Sequence, residues 1–199
     1  MRKKIVFGTL LTILFFSFLF FFYFNSSNER KLIEKKRLEL TEKENIEIIE
    51  KNIESSNIIE DVSYSAKDAK GNEYFLKASE GTIDLNDSNI IFLKSVKANI
   101  DLKNYKLIEI SSDFGKYNIN NYDTIFSKNV IVSYLDNKIM GDYLDFSYDK
   151  NLMIISKEVI LSNSKSSLKA DVIEVNIKTR DIKIFMYEQD KKVNIKLLE

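Results

Sequence analysis

The sequence predicts an all-β domain, a curved antiparallel sheet, behind one membrane-spanning helix and a charged segment. Three observations carry this. Residues 5–24 form an uncharged apolar run. From residue 57 onward, apolar and polar side chains alternate with the two-residue period of half-buried strands. Within that region a short unit recurs four times, starting at Ala78, Ser112, Gly141 and Ala170, with starts 34, 29 and 29 residues apart. Each start is a small residue followed by Ser or Asp. Large apolar or aromatic residues stand five positions on (Ile83, Tyr117, Phe146, Val175) and seven positions on (Leu85, Ile119, Tyr148, Ile177). Two further sets follow at fourteen and eighteen positions: Phe92, Phe126, Ile155 and Ile184, then Val96, Val130 and Val159. A repeat of about 30 residues has room for one β-hairpin, and stacked hairpins bury what one hairpin alone exposes.

The elements follow in chain order. Residues 1–4 are a short basic start, and residues 5–24 match in length the roughly 30 Å of a bilayer hydrocarbon core. A cleaved signal peptide is the alternative, but the exit at Asn25, Ser26 and Ser27 lacks a small-x-small cleavage pattern. Basic residues in front of the run predict a cytoplasmic N-terminus, with everything after it on the other side. Residues 25–56 are a charged stalk or linker. Glu39 and Lys43, like Glu47 and Lys51, are spaced to pair along a helix, and Ile46, Ile49 and Ile53 share a side, with Ile48 beside them. A helical stalk and a mobile tether both fit.

Residues 57–199 are the β domain. The first strand spans 58–66, a turn containing Gly71 follows, and the second strand starts at Glu73. Turns rich in Asn and Asp at 86–89, 120–123, 149–151 and 178–181 make each unit strand, turn, strand. The chain closes with a short strand at 192–198 that no further strand follows, a candidate sheet edge.

Composition removes much chemistry. Without Cys or His, no thiol nucleophile, Ser-His-Asp triad or Cys/His zinc site can form. Formal net charge is zero, which gives no electrostatic case for nucleic acid. Arg2, Lys3 and Lys4 are three of the 30 basic residues, which leaves 27 against 30 acids beyond them, a balance of −3. The carboxylates alternate along strands as solvent-facing residues do, and no spacing proposes a catalytic pair. No enzyme, metal or cofactor is expected.

The same-parity side chains are Ile83, Leu85, Phe92, Val96, Tyr117, Ile119, Phe126, Val130, Val132, Leu144, Phe146, Tyr148, Ile155, Val159, Leu161, Ile173, Val175 and Ile184. On one face of a curved sheet they form a continuous apolar interior. That interior is either a closed core, stabilised by about 25 cal/mol per Å² buried, or a trough left ajar for acyl chains.

Several strand motifs recur in order: Tyr74-Phe75-Leu76-Lys77-Ala78, Phe114-Gly115-Lys116-Tyr117-Asn118, Lys128-Asn129-Val130-Ile131-Val132 and Asp142-Tyr143-Leu144-Asp145-Phe146-Ser147-Tyr148-Asp149. With Lys157-Glu158-Val159-Ile160-Leu161 and the leading apolar run, this layout resembles the LptC family of lipopolysaccharide-export proteins over about residues 57–186. The resemblance implies an antiparallel twisted β-jellyroll in the periplasm on a single-pass inner-membrane anchor. It implies lipopolysaccharide as cargo, carried against the eighteen interior side chains. It also implies, as partners, the membrane and ATPase subunits of an export ABC transporter and a periplasmic bridge protein of the same fold. The candidate partner edges are 58–64 and 193–198. The charged stretch before Asn57 and the lack of Pro depart from the family pattern. A membrane-anchored scaffold with a sealed core and no lipid carriage is the competing reading.

Overall fold

The computed structural model describes residues 35–51, 58–68, 71–103, 106–188 and 190–198. The predicted span at 5–24 lies outside them, and among the described residues no helix is long and apolar enough to cross a membrane. The chain divides into two compact units, Met1–Glu44 and Asn45–Glu199. A helix, α1, covers 35–51 and decides between helix and tether for that part of the charged segment.

Among the described residues ten strands follow: β1 (Ile58–Lys67), β2 (Glu73–Ile83), β3 (Ile90–Asp101), β4 (Ile108–Asn118), β5 (Thr124–Tyr134), β6 (Asn137–Ser147), β7 (Leu152–Ser162), β8 (Ser166–Asn176), β9 (Ile182–Phe185) and β10 (Asn194–Leu197). They form one antiparallel sheet in which β1 to β8 each pair with the next. β8 then carries two short strands on its outer edge, β9 against Val172–Val175 and β10 against Ser166–Lys169. Turn chemistry sets the corners. Asp84 Oδ1 accepts from Asn86 N, Asn118 Oδ1 from Asn120 N, and Asn176 Oδ1 from both Lys178 N and Thr179 N. These side chains stand in for backbone partners where the chain reverses.

The sequence repeat has a physical meaning in this sheet. Its small residues face valines across the strands: Ala78 opposite Val62, Ser112 opposite Val96, Gly141 opposite Val130, Ala170 opposite Val159. Immediately before each valine the backbone is left-handed, at Asp61 (φ 54°), Ser95 (φ 53°), Lys128 and Asn129 (φ 59° and 50°), and Lys157 and Glu158 (φ 64° and 54°). In β5 and β7 the register shifts at the same place, the mark of a β-bulge. Bulges bend a strand and increase its twist. A left-handed residue in a strand costs roughly 1–2 kcal/mol, so a line of them is kept only because burial behind it outweighs the cost. Space inside the bend is short. A Cβ on Gly81 would stand 2.7 Å from Val62 Cγ2, and one on Gly141 would stand 3.0 Å from Ile155 Cγ2 and 3.1 Å from the Ser156 carbonyl oxygen.

The bend folds the sheet onto itself. Tyr64 pairs in the ladder with Leu76, yet its ring lies 5.3 Å from that of Tyr117 on β4. Tyr74 pairs with Ile100, yet its ring lies 5.2 Å from Tyr148 beyond β6. The two halves enclose one apolar cluster, joining Leu76, Ala98, Ile100, Ile108 and Ile110 to Phe126, Leu144, Met153, Ile155 and Ile173.

A second, smaller cluster lies apart from this interior. Ile49 on α1 is fully buried against Phe92, with Ile48, Ile90, Phe114 and Ile125 around them. Asn45 Nδ2 donates to the Tyr143 hydroxyl at 3.2 Å, and Lys128 Nζ stands 2.7 Å from Glu50 Oε1. The last turns of α1 are therefore packed against the sheet rather than held off it.

Gly141→Val is expected to destabilise the domain by roughly 1–3 kcal/mol, since the Ser156 backbone has no side-chain freedom with which to yield. A lower urea midpoint at unchanged m-value checks it. At the helix contact, Ile49→Ala should cost about 2–4 kcal/mol. Lys128→Ala, which breaks a half-exposed ion pair, should cost under about 1 kcal/mol. Urea titration of the two variants should rank them in that order.

Candidate functional site

The interior is asymmetric. At the β1 side it narrows to a gap of about 50 Å³ lined by Tyr64, Tyr74, Tyr117, Tyr122, Phe126, Phe146 and Tyr148 among others. The tyrosine rings touch one another: Tyr64 stacks on Tyr122 at 6.2 Å, and Tyr122 meets Tyr148 edge to face at 5.3 Å. Burial, then the negative charge of Asp68, pushes the Tyr74 hydroxyl up to about 12. Burial and then the neighbouring Tyr64 raise Tyr117 further, and burial followed by Asp68 raises Tyr148. The cluster is an aromatic seal at this end of the interior.

At the β8 side the interior widens into a cavity of about 310 Å³. Ile108, Val132, Met153 and Ile173 are its buried floor, while Arg180 and Ile182 at the β8–β9 turn are exposed at its rim. Ligand pockets are typically about 300–1,000 Å³, concave and mainly apolar with few polar groups, and this cavity meets that description.

Fourteen of the eighteen sequence-selected side chains belong to the interior cluster. Val96, Tyr117, Phe126, Val130, Val132, Leu144, Phe146, Ile155, Val159 and Ile173 are buried in it; Tyr148, Leu161, Val175 and Ile184 pack partly buried against it. Four stand elsewhere. Leu85 and Ile119 lie past the ends of β2 and β4, in turns, at 83% and 40% exposure. Ile83, the last residue of β2, is also 40% exposed. Phe92 belongs to the helix contact. The reason is a one-residue difference in the first hairpin. Leu93 sits opposite Gly81 as Phe126 sits opposite Gly115, Ile155 opposite Leu144, and Ile184 opposite Ile173. Leu93 is thus the true counterpart, and it is fully buried in the interior.

Sequence reasoning missed the cavity-lining residues Leu102, Ile108, Tyr134, Ile139, Met153 and Ile182. Ile108 and Ile110 show the same two-residue alternation as the selected positions, so parity could have found them. The cavity itself leaves no mark on parity. Both candidate edges are outer strands: among the described residues β1 pairs only with β2, and β10 only with β8. Ile58 and Ile59 on β1, and Ile195 and Leu197 on β10, are exposed.

Asp123 and Asp145, two carboxylates close enough to interact, line neither end of the interior. Asp145 is raised by burial first and by Asp123 second, while Asp123 accepts from Tyr148 N at 2.8 Å and Asn121 Nδ2 at 2.9 Å to hold its turn.

An antiparallel sheet bent around an apolar, side-opening interior defines the class: an all-β protein of jellyroll-like architecture with an apolar cavity. Residues 10–186 match the family model described as "LptC: Lipopolysaccharide-assembly, LptC-related", and the chain belongs to that family. Its role is accordingly in lipopolysaccharide transport, in a family of transport components rather than enzymes, anchored in the inner membrane with a periplasmic domain. The family implies lipopolysaccharide binding and periplasmic bridge partners. Among solved structures the chain is similar to LptH, the LptA homologous periplasmic component of the lipopolysaccharide transport device from Pseudomonas aeruginosa. That likeness has 6% identity and a TM-score of 0.47, over 63% of this chain and 94% of that one. No curated protein matches.

The tyrosine seal makes stability depend on alkaline pH. A folded-state value raised above that of the unfolded chain stabilises fully below the unfolded value, near pH 10, and that contribution is lost as pH rises through the folded one. Stability should therefore fall between about pH 10 and 12, the value for Tyr74. Urea midpoints across that range check it, and Tyr74→Phe should flatten the fall.

Proposed function

We propose that this chain is the single-pass inner-membrane component of a lipopolysaccharide exporter. Residues 5–24 span the membrane with the N-terminus in the cytoplasm and associate with the membrane subunits of an ABC transporter. The β domain accepts acyl chains extracted by the partner ATPase, holds them against its interior side chains, and passes them to a periplasmic bridge protein of similar fold through a sheet edge. The chain does no covalent chemistry.

One observation carries this reading: the apolar cavity of about 310 Å³ opening at the β8 side. A scaffold without cargo needs only a sealed core. The exposed edges support the hand-over, since unpaired N–H and C=O groups of an outer strand accept a further strand.

The test is photocrosslinking in native membranes during ATP-driven extraction. A photoreactive residue replaces Leu161 in the cavity or, as control, Glu109 on an exposed position of β4. Lipopolysaccharide adducts at position 161 and none at 109 are expected. Protein-only adducts at 161 in a folded, inserted chain would overturn carriage and favour the scaffold.

A further inference from the structure

The last turns of α1 lie on the outer face of the sheet, behind the aromatic end of its interior. Neighbouring residues of a strand point to opposite faces, and the contact uses this on strand after strand. On β3, Phe92 packs against Ile49 and Leu93 enters the interior. On β5, Ile125 borders the helix contact and Phe126 lines the aromatic gap. On β6, the Tyr143 hydroxyl accepts from Asn45 Nδ2 at 3.2 Å, and Leu144 is in the interior. With Phe114 on β4, the helix end spans four neighbouring strands. It also reaches two bulges. Glu50 Oε1 stands 2.7 Å from Nζ of Lys128, which is left-handed in β5. Lys157, left-handed in β7, lies 5.9 Å above the ring of Tyr143, whose hydroxyl Asn45 binds.

We propose that this helix end is a releasable clip. Seated across β3 to β6, it holds the aromatic end closed; lifted, it lets that end open and joins the narrow gap to the wide cavity as one trough. The clip concerns how the interior opens and holds whatever the interior carries. Left-handed bulge residues persist where their surroundings over-determine them. Lys128 has two holds, the Glu50 carboxylate and the Phe114 ring at 5.6 Å. Lifting α1 removes the first and uncovers the second. The bend in β5 is then held less firmly. The ring contacts which that bend closes, Tyr64 with Tyr117 at 5.3 Å and Tyr74 with Tyr148 at 5.2 Å, lose their backing. The helix end can leave before the sheet does. Asn45, Ile49 and Glu50 join it to the strands through side chains, whereas the strands are joined by backbone ladders. Elements attached in this way open at a free energy below that of global unfolding.

The experiment uses the full chain in nanodiscs of zwitterionic lipid. The chain has no Cys, so spin labels can be placed at Ser65→Cys on β1 and Lys150→Cys in the β6–β7 turn, two exposed positions on either side of the aromatic end. Pulsed electron resonance should give one narrow distance for otherwise native chain. Ile49→Asp should move the main population to a longer, broader distribution, and Ile49→Val should keep the native one. Hydrogen exchange read by mass spectrometry on unlabelled chain should be roughly tenfold faster in Ile49→Asp at residues 114–118 and 124–127, and unchanged at 152–161 and 168–175. Should Ile49→Asp not fold, Asn45→Ala combined with Lys128→Ala removes the polar holds and should broaden the same distance distribution. Native distance and native exchange in folded Ile49→Asp chain, or in that double variant where Ile49→Asp does not fold, would reduce the contact to surface packing and overturn the clip. Faster exchange spread evenly over β3 to β8 would show general destabilisation and overturn it as well. Lipid adducts at position 161 are read separately, so the loss of either reading leaves the other standing.

Discussion

The contact on which the rest of this protein depends is a valine set against a small residue across the sheet, next to a left-handed backbone. It occurs at Val62–Ala78, Val96–Ser112, Val130–Gly141 and Val159–Ala170. Each pairing is local, but the four lie in a line across the strands. The bulges bend the strands, and the small residues admit the bend. Without that line the sheet would present one apolar face to water. With it, the two halves of that face bury each other, and the left-handed residues at Ser95, Asn129 and Glu158 are held where isolated chains would avoid them.

Because the closure is a fold in a sheet and not a barrel, the interior has two ends with different chemistry. Tyrosine rings narrow the β1 end, where burial favours the protonated form of Tyr74 and Tyr117. Aliphatic side chains line the β8 end without filling it, and a single arginine marks its rim. Filled space favours stability and empty space favours a ligand. The packed aromatic end therefore contributes to stability, and the open aliphatic end leaves space that the packing does not use.

The α1 contact follows the same logic away from the interior. Apolar burial around Ile49 dominates there, and the Glu50–Lys128 ion pair, half exposed to solvent, adds little. Lys128 is itself one of the bulge residues and lies 5.6 Å above the Phe114 ring. The helix end thus rests on the line along which the sheet bends.

Much of this architecture was legible in the sequence, because strand periodicity and turn chemistry are local. The alternation from residue 57, the Asn and Asp turns and the recurring small-residue starts already place β1 to β10 and most of the interior side chains. They fail where a one-residue offset matters: parity assigned Phe92 to the interior, but the first hairpin is a residue longer, and Leu93 faces inward instead. Leu85 and Ile119 kept the pattern while the strands had already ended. Tertiary structure alone decided the rest. Whether an apolar interior is full or hollow depends on how two halves of a sheet approach each other, a distance that no periodicity encodes. Arg180 reads as an ordinary turn residue until the fold brings its turn to the mouth of a cavity whose floor comes from β4, β5, β7 and β8.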